Sequence, residues 1–397
     1  MKQTCSLTIA FGGLLVFSSV AEAATRYAKV AATGTGDCLS WADACTLGDA
    51  RAASNSGDQI WVKAGTYPRF DLKQGVQIIG GFAGTETSAS QSNPTANVTI
   101  VDGGGTKQCV KSANHSAATV LRGFSIRSGH DTDDHGGGGL SLSDSSAMIV
   151  QCTFENNTAS ILGGAVVIRG NSSPQFVNCI FRHNGATARD DAPHEGGAVF
   201  LESASATFTN CLFHDNKAGR GGAFAMSPGG GAVFTNCTFA NNQATWLRGG
   251  AVSDPSESLK LRNCILWGNT RVEGDPPAPT WDQIYGPGDG PDVRYSDVQG
   301  GWSGMGNINA HPQFLSAAAG AYGLQATSPC KNTGDSTPTA DTLPPDAGDL
   351  DWDTNTVEPT PKDLGLLARI RLGTVDMGAY EIFDDTPPTN LPLVPDE

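Results

Sequence analysis

The motif Asn-Cys-x-Phe-x-x-Asn recurs as "NCIFRHN" from 178, "NCLFHDN" from 210 and "NCTFANN" from 236, and nothing else in the chain limits its fold so sharply. Aligned on Cys152, Cys179, Cys211, Cys237 and Cys264, successive units are 27, 32, 26 and 27 residues long. A period in this range marks stacked supersecondary units. Phe154, Phe181, Phe213, Phe239 and Leu266 follow each Cys by two positions, and Asn157, Asn184, Asn216, Asn242 and Asn269 by five. Ile149, Phe176, Phe208, Phe234 and Leu261 precede it by three. Strand alternation puts Cys and the next apolar residue on one face, and the residue three before joins them only if the backbone bends between. Asn178, Asn210, Asn236 and Asn263 stand at that bend. Each unit then returns through a glycine pair and a second short strand: "GGAVVI" from 163, "GGAVFL" from 196, "GGAFAM" from 221 and "GGAV" from 249.

One such unit has too few apolar residues to close a core alone. The pattern therefore predicts a solenoid of coils joined as parallel strands about 4.8 Å apart. An Asn amide carries both donors and acceptors, so the Asn of each coil is expected to bond the Asn above and below. The five Cys are expected as small buried hydrophobes. Glycine, at 50 of 397 residues, and short β-branched or aromatic runs between turn residues fit an all-β chain.

The pairing of "GGA[V/F]" with "FENN", "FRHN", "FHDN" and "FANN" over residues 136 to 269 resembles the repeats of polymorphic outer-membrane proteins. As a whole the chain resembles the right-handed parallel β-helix of the pectin-lyase-like superfamily, which implies that fold over 59–300 and leaves function open, since one scaffold hosts many. Those membrane proteins continue into a large barrel that has no counterpart up to residue 397. The segments "SPCKNTGDS" and "GTVDMGAYE" resemble the terminal segments of secreted bacterial β-helix proteins that carry one of several sorting anchors. None of the lyase active-site motifs matches here, so no catalytic residue carries over.

The ends divide as follows. Residues 1–23 read as a cleavable secretory signal, with Ala21-Glu22-Ala23 as the A-x-A pattern, and imply a secreted, cell-surface or periplasmic protein. Residues 24–58 form an N-terminal cap, with helical amphipathicity over 37–53, where Cys38 and Cys45 are placed to bridge in an oxidising compartment. Residues 301–383 are expected as a loop-rich C-terminal cap and 384–397 as a flexible Pro-rich tail. No later segment has the apolar length of a transmembrane helix.

The 40 Asp and Glu against 25 Lys and Arg give net charge −15, which disfavours nucleic acid as a partner. Any polyanion must meet a local basic patch or a bound cation. Function is expected in the corner loops of variable length between ladder Asn and glycine pair, which stacking brings to one edge. There stand His130, Asp131, Asp133, Asp134 and His135, then Arg189, Asp190, Asp191, His194 and Glu195, then Lys217, Arg220, Trp246, Arg248 and Trp281.

The leading expectation is recognition of extracellular polysaccharide, or surface adhesion, along that edge; the alternative is a polysaccharide lyase, and a third class is a structural envelope component. A lyase needs the uronate carboxylate neutralised by Ca²⁺ or Arg and a base near the C5 proton. Arg220, Lys217, Arg189 and His194 are the candidates for that chemistry, and Asp131, Asp133, Asp134, Asp190 and Asp191 for Ca²⁺. Glycan contacts are expected from Trp246, Arg248 and Trp281. The outward column three or four residues after each Cys adds Arg182, His183, His214 and Trp267 to them. Ile180, Leu212 and Ile265, one after Cys, also point outward and are either covered by a loop or form a contact surface.

Overall fold

The computed structural model describes residues 23–132, 136–186, 194–246, 248–273, 278–287, 290–337, 360–371 and 373–382. The signal segment expected at 1–23 lies outside them except for Ala23, and the tail 384–397 lies outside entirely.

Each coil is a strand, a corner, a second strand, a second corner and two further strands. The coil opening at Gln175–Val177 turns at Asn178 with φ +53°, continues as Ile180–Arg182, turns at His183 with φ +54°, and returns through Gly185–Ala186 and Val199–Glu202. Asn210, Asn236 and Asn263 occupy the first corner with the same left-handed backbone, which Asn tolerates better than most residues. That bend carries Phe176 and Phe181, on either side of Cys179, into one interior. Successive coils pair in parallel, with Phe176 beside Phe208, Phe181 beside Phe213 and Val199 beside Phe224. Among the described residues the strands form sheets of eleven, nine, seven and eight strands, in the order a coil visits them, and the fold is a right-handed parallel β-helix.

The interior is built of like on like. The rings of Phe154, Phe181, Phe213 and Phe239 stack at 4.9, 4.6 and 4.7 Å, and those of Phe176, Phe208 and Phe234 at 4.8 and 4.6 Å. Cys152, Cys179, Cys211, Cys237 and Cys264 are free and fully buried among them. The Cys179 thiol donates to the carbonyls of Ile149 and Val177 at 3.4 Å, and burial pushes the Cys152 thiol up, so it stays a protonated, inert packing group. The Asn ladder is continuous: Nδ2 of Asn157, Asn184, Asn216 and Asn242 donates to Oδ1 of the next Asn at 3.1, 3.0, 2.9 and 2.8 Å. Asn269 ends it on Gln283 at 2.6 Å.

The N-terminal cap departs from the expected helix over 37–53. Asp43 Oδ1 accepts the Thr35 N–H and Cys38 N–H donates to the Asp43 carbonyl, winding 35–43 into turns, and the helix begins only at Leu47, capped by Thr46, and ends at Ala53. The Cys38–Cys45 disulfide closes this turn. A loop of 7 residues' separation gives a chain-entropy stabilisation of about 2 kcal/mol. The double variant C38S/C45S is expected to lose that much in urea denaturation, with faster hydrogen exchange confined to residues 24–53.

The C-terminal region is less a cap than a layer on the flank. Asn307 and Ile308 bond the last coil at Ser296 and Val298, and Trp302 packs on the core, but the rest runs back along the nine-stranded sheet. There Phe314, Tyr322, Leu324, Cys330, Met377 and Ala379 build a second core on Leu212, Ala240 and Ile265. The outward apolar column is thus covered at Leu212 and Ile265, while Ile180 stays half-buried at the layer's edge. The two C-terminal motifs are zipped together: Asn332 N–H donates to Asp376 Oδ1 at 2.7 Å, Gly334 N–H to the Val375 carbonyl and Met377 N–H to that of Cys330, both at 2.9 Å. Gly378, at φ +92°, comes so close to the coils that a Cβ there would meet Ile265 and Thr238 within 2.8 Å.

Candidate functional site

The layer covers only part of the nine-stranded sheet, and what remains open is a cleft of about 830 Å³. Its floor is the outward side of three successive coils at Ser125, Thr153 and Ile180, register partners in parallel strands, with the buried Thr99 at its head on the strand before them. One wall is the loop Ser90–Val98. Ser92 Oγ donates to the Gly80 carbonyl at 2.7 Å, Asn93 N–H to that of Gly81 at 2.8 Å, and Trp41 Nε1 holds the loop's root at the Glu86 carbonyl at 3.0 Å. The opposite wall is the segment around Lys362, Leu364 and Leu366, fixed where Asn210 Nδ2 donates to the Lys362 carbonyl at 2.8 Å. Asn210 lies one coil beyond Asn178, so the wall rises where the floor ends.

Three cations line the cleft, Arg122, Arg182 and Lys362, against one carboxylate, Glu155. In a chain of net charge −15 this is a local reversal of sign. Arg182 donates Nη2 and Nε to Glu155 Oε2 at 2.5 and 3.0 Å, while Ser125 Oγ donates to Glu155 Oε1 at 3.2 Å. Arg122 Nε donates to Gln151 Oε1 at 2.9 Å. Asn178, 3 % exposed, has neither side-chain oxygen nor nitrogen hydrogen-bonded in this wall of the cleft, an arrangement that costs stability unless something else supplies the bonds. The two walls carry exposed aliphatic groups, Val98 and Leu366, and Leu366 is held at φ +65°, a strained conformation for a branched side chain.

The structure distributes the sequence candidates over two faces. Arg182 lies in the cleft, and His183 stands exposed at its corner. His214 and Trp267 do not serve as outward glycan contacts: His214 is 5 % exposed beneath Tyr322, ring centroids 5.0 Å apart, and Trp267 packs into the second core beside His311. The column is outward with respect to the coil, but the returning C-terminal chain turned it into an interior.

The expected edge exists as the seven-stranded sheet. His130, Thr158, Gly185, Lys217, Gln243, Thr270 and Trp281 are register partners along it. Lys217 and Arg248 are exposed, as are Trp246 and Trp281. Arg220 Nη1 pairs with Glu195 Oε1 at 3.1 Å, while the N–H groups of Gly219 and Arg220 both donate to the His194 carbonyl, so this cluster braces adjacent coils. Asp131 is buried and accepts the Gly136 N–H at 3.0 Å. Asp133, Asp134, Arg189, Asp190 and Asp191 lie outside the described residues. Among the described residues no three His, Cys, Asp or Glu side chains gather as metal ligands.

Arg122, Gln151, Asn178 and Lys362 were not among the sequence candidates. Gln151 carried a signal: it stands in the corner column where later coils have Asn, with φ +50°, and the substitution marks where the column changes surroundings. Lys362 carried none, because only the return of the C-terminal chain brings it to the second sheet.

Residues 108–274 match the family model described as "Right handed beta helix region". Among solved structures the chain is similar to the crystal structure of pectate lyase Pel9A, at 13% identity over 91% of this chain and 97% of that one, with a TM-score of 0.46. No curated protein matches the chain.

Proposed function

We propose that the chain is a secreted or cell-surface recognition protein whose cleft binds an anionic polysaccharide. The observation that supports this most is the reversal of charge: three cations converge in a cleft walled on two sides, on a protein that otherwise repels polyanions. Guanidinium groups bond carboxylate or sulfate through paired N–H donors, and the aliphatic walls at Val98 and Leu366 suit the apolar faces of sugar rings. Lys217, a candidate base of a lyase, stands on the seven-stranded sheet and Arg220 just past it is ion-paired with Glu195, both outside this cleft, so recognition without bond cleavage is the better reading. Neither Ca²⁺ nor another cofactor is needed for it.

Binding is tested by titrating polygalacturonate, alginate and heparin into the protein. Affinity for at least one is expected, falling as salt rises because the contacts are ionic. Arg182→Ala is expected to weaken it about tenfold, while Lys217→Ala on the neighbouring sheet leaves it within about twofold. Equal affinity for R182A, or loss with K217A, would move the site to the edge. Ultraviolet absorbance from unsaturated uronate products would replace binding by a lyase reading.

A further inference from the structure

The cleft is closed in one direction and open in the other. Along the solenoid axis it stops at the Ser90–Val98 loop on one side and at Lys362–Leu366 on the other, with the floor between them running from Thr99 at its head to Ile180. Three strand spacings separate Thr99 from Ile180, about 14 Å. One coil further on, Leu212 is 2 % exposed beneath the C-terminal layer, so the floor is covered from there. Along the strands the lining residues are the coils' own corners and strand ends: Gly123, Gln151 and Asn178 at one side, Glu155 and Arg182 at the other, with Asn156 and His183 exposed beyond.

Resting on the glycan-binding reading above, we infer that the cleft takes a short internal run of an anionic glycan laid along the strand direction, across the solenoid and not parallel to its axis. A cleft of this volume takes a ligand of roughly three sugar rings. Its cations are spread along that path: Arg122, 3 % exposed, stands by the entry corner, Lys362 is held in the opposite wall at Asn210, and Arg182 lies at the far strand end. Asn178 stands at the corner before the floor strand that ends in Arg182. Both walls are tied down by hydrogen bonds to the coils, so the path exists before the ligand arrives.

The test is a length series with a structure at its end. Galacturonate, guluronate and heparin oligosaccharides of one to eight residues are titrated calorimetrically, and the tightest hexamer is crystallised with the full chain. Affinity is expected to rise steeply to about three residues and then stay within about twofold. The hexamer should cross Gln151, Thr153 and Glu155 with both ends emerging at the coil corners. Leu366→Gly, which opens one wall and relieves the left-handed strain, should weaken all lengths of three or more by the same factor. A hexamer lying parallel to the axis over the C-terminal layer, or affinity climbing a further tenfold or more from four to eight residues, overturns the path while leaving glycan binding intact. Binding of no oligosaccharide and no polymer overturns both.

Discussion

Replacing Asn216 by alanine is expected to destabilise the β-helix by about 4 kcal/mol, one of the two largest effects in the molecule. Asn216 is the middle rung of the ladder and uses its whole amide. Nδ2 donates to the Phe181 carbonyl and to Asn242 Oδ1, both at 2.9 Å, while Oδ1 accepts the Asn184 N–H and the Asn184 Nδ2, both at 3.0 Å. Truncation leaves the Asn184 backbone N–H buried and unbonded, which costs about 1–3 kcal/mol, and removes as well an acceptor from the Asn184 amide and a donor from the Phe181 carbonyl. Water cannot replace the amide, because Asn184, Asn216 and Asn242 are at most 1 % exposed. Asn216→Asp is expected to be no milder, since it sets carboxylate oxygen against the Phe181 carbonyl. Asn156→Gly is the contrast: it sits on the same corner at φ +53° but is exposed, and glycine accepts that backbone freely. A urea midpoint that drops for N216A and holds for N156G, with unchanged slope, is the expected pattern. A midpoint unmoved by N216A would mean that the ladder decorates the coil without supporting it.

Why the solenoid could be read from the chain and the cleft could not follows from the range of the interactions involved. The rungs, the Phe stacks and the corner Asn repeat because each coil meets the same neighbour, so a single period shows them all, and Asn157 to Asn269 and Cys152 to Cys264 stand where the repeat put them. Orientation relative to the coil was legible too: Leu212 and Ile265 do point away from the interior. What covers them was not, because the contact between Ile265 and Gly378, or between Asn210 and Arg369, spans more than a hundred residues and leaves no periodic trace. His214 and Trp267 therefore looked like glycan contacts and are core. The same long-range return creates the cleft, since Lys362 and Leu366 become a wall only when the chain doubles back, whereas Arg182 could be placed on an outward column because it belongs to the repeat.

Arg369 is the group on which that return depends, and Arg369→Met is expected to cost the C-terminal layer about 3–5 kcal/mol of docking. Its side chain is fully buried. Nη1 donates to Glu381 Oε1 at 2.6 Å, Nη2 to the Gly378 carbonyl at 2.6 Å, and Nε and Nη2 to Asn210 Oδ1 at 3.1 and 2.9 Å. One guanidinium thus ties the layer both to itself and to a corner of the β-helix. Around it lie three buried carboxyls, Glu381, Asp363 and Asp376, whose affinities for protons are all raised, chiefly by burial, with Arg369 offsetting part of the rise. Glu381 is pushed up to about 8. A carboxyl that holds its proton more tightly when docked than when released favours docking fully below its ordinary range. That contribution fades as pH rises, and for Glu381 it is gone above about 8. Hydrogen exchange over 360–382 is therefore expected to accelerate from about pH 5 to about pH 8 beyond the intrinsic rise, while the Asn-ladder amides keep their protection. Glu381→Gln, which cannot ionise and keeps an acceptor for Arg369, should flatten that dependence. R369M should release the layer at every pH, because its partner carboxyls are left buried without a cation. Since Lys362 and Leu366 belong to the released chain, R369M should also lose glycan affinity without touching any residue of the cleft floor, and retained affinity in a variant whose layer exchanges freely would show that the wall is not part of the site.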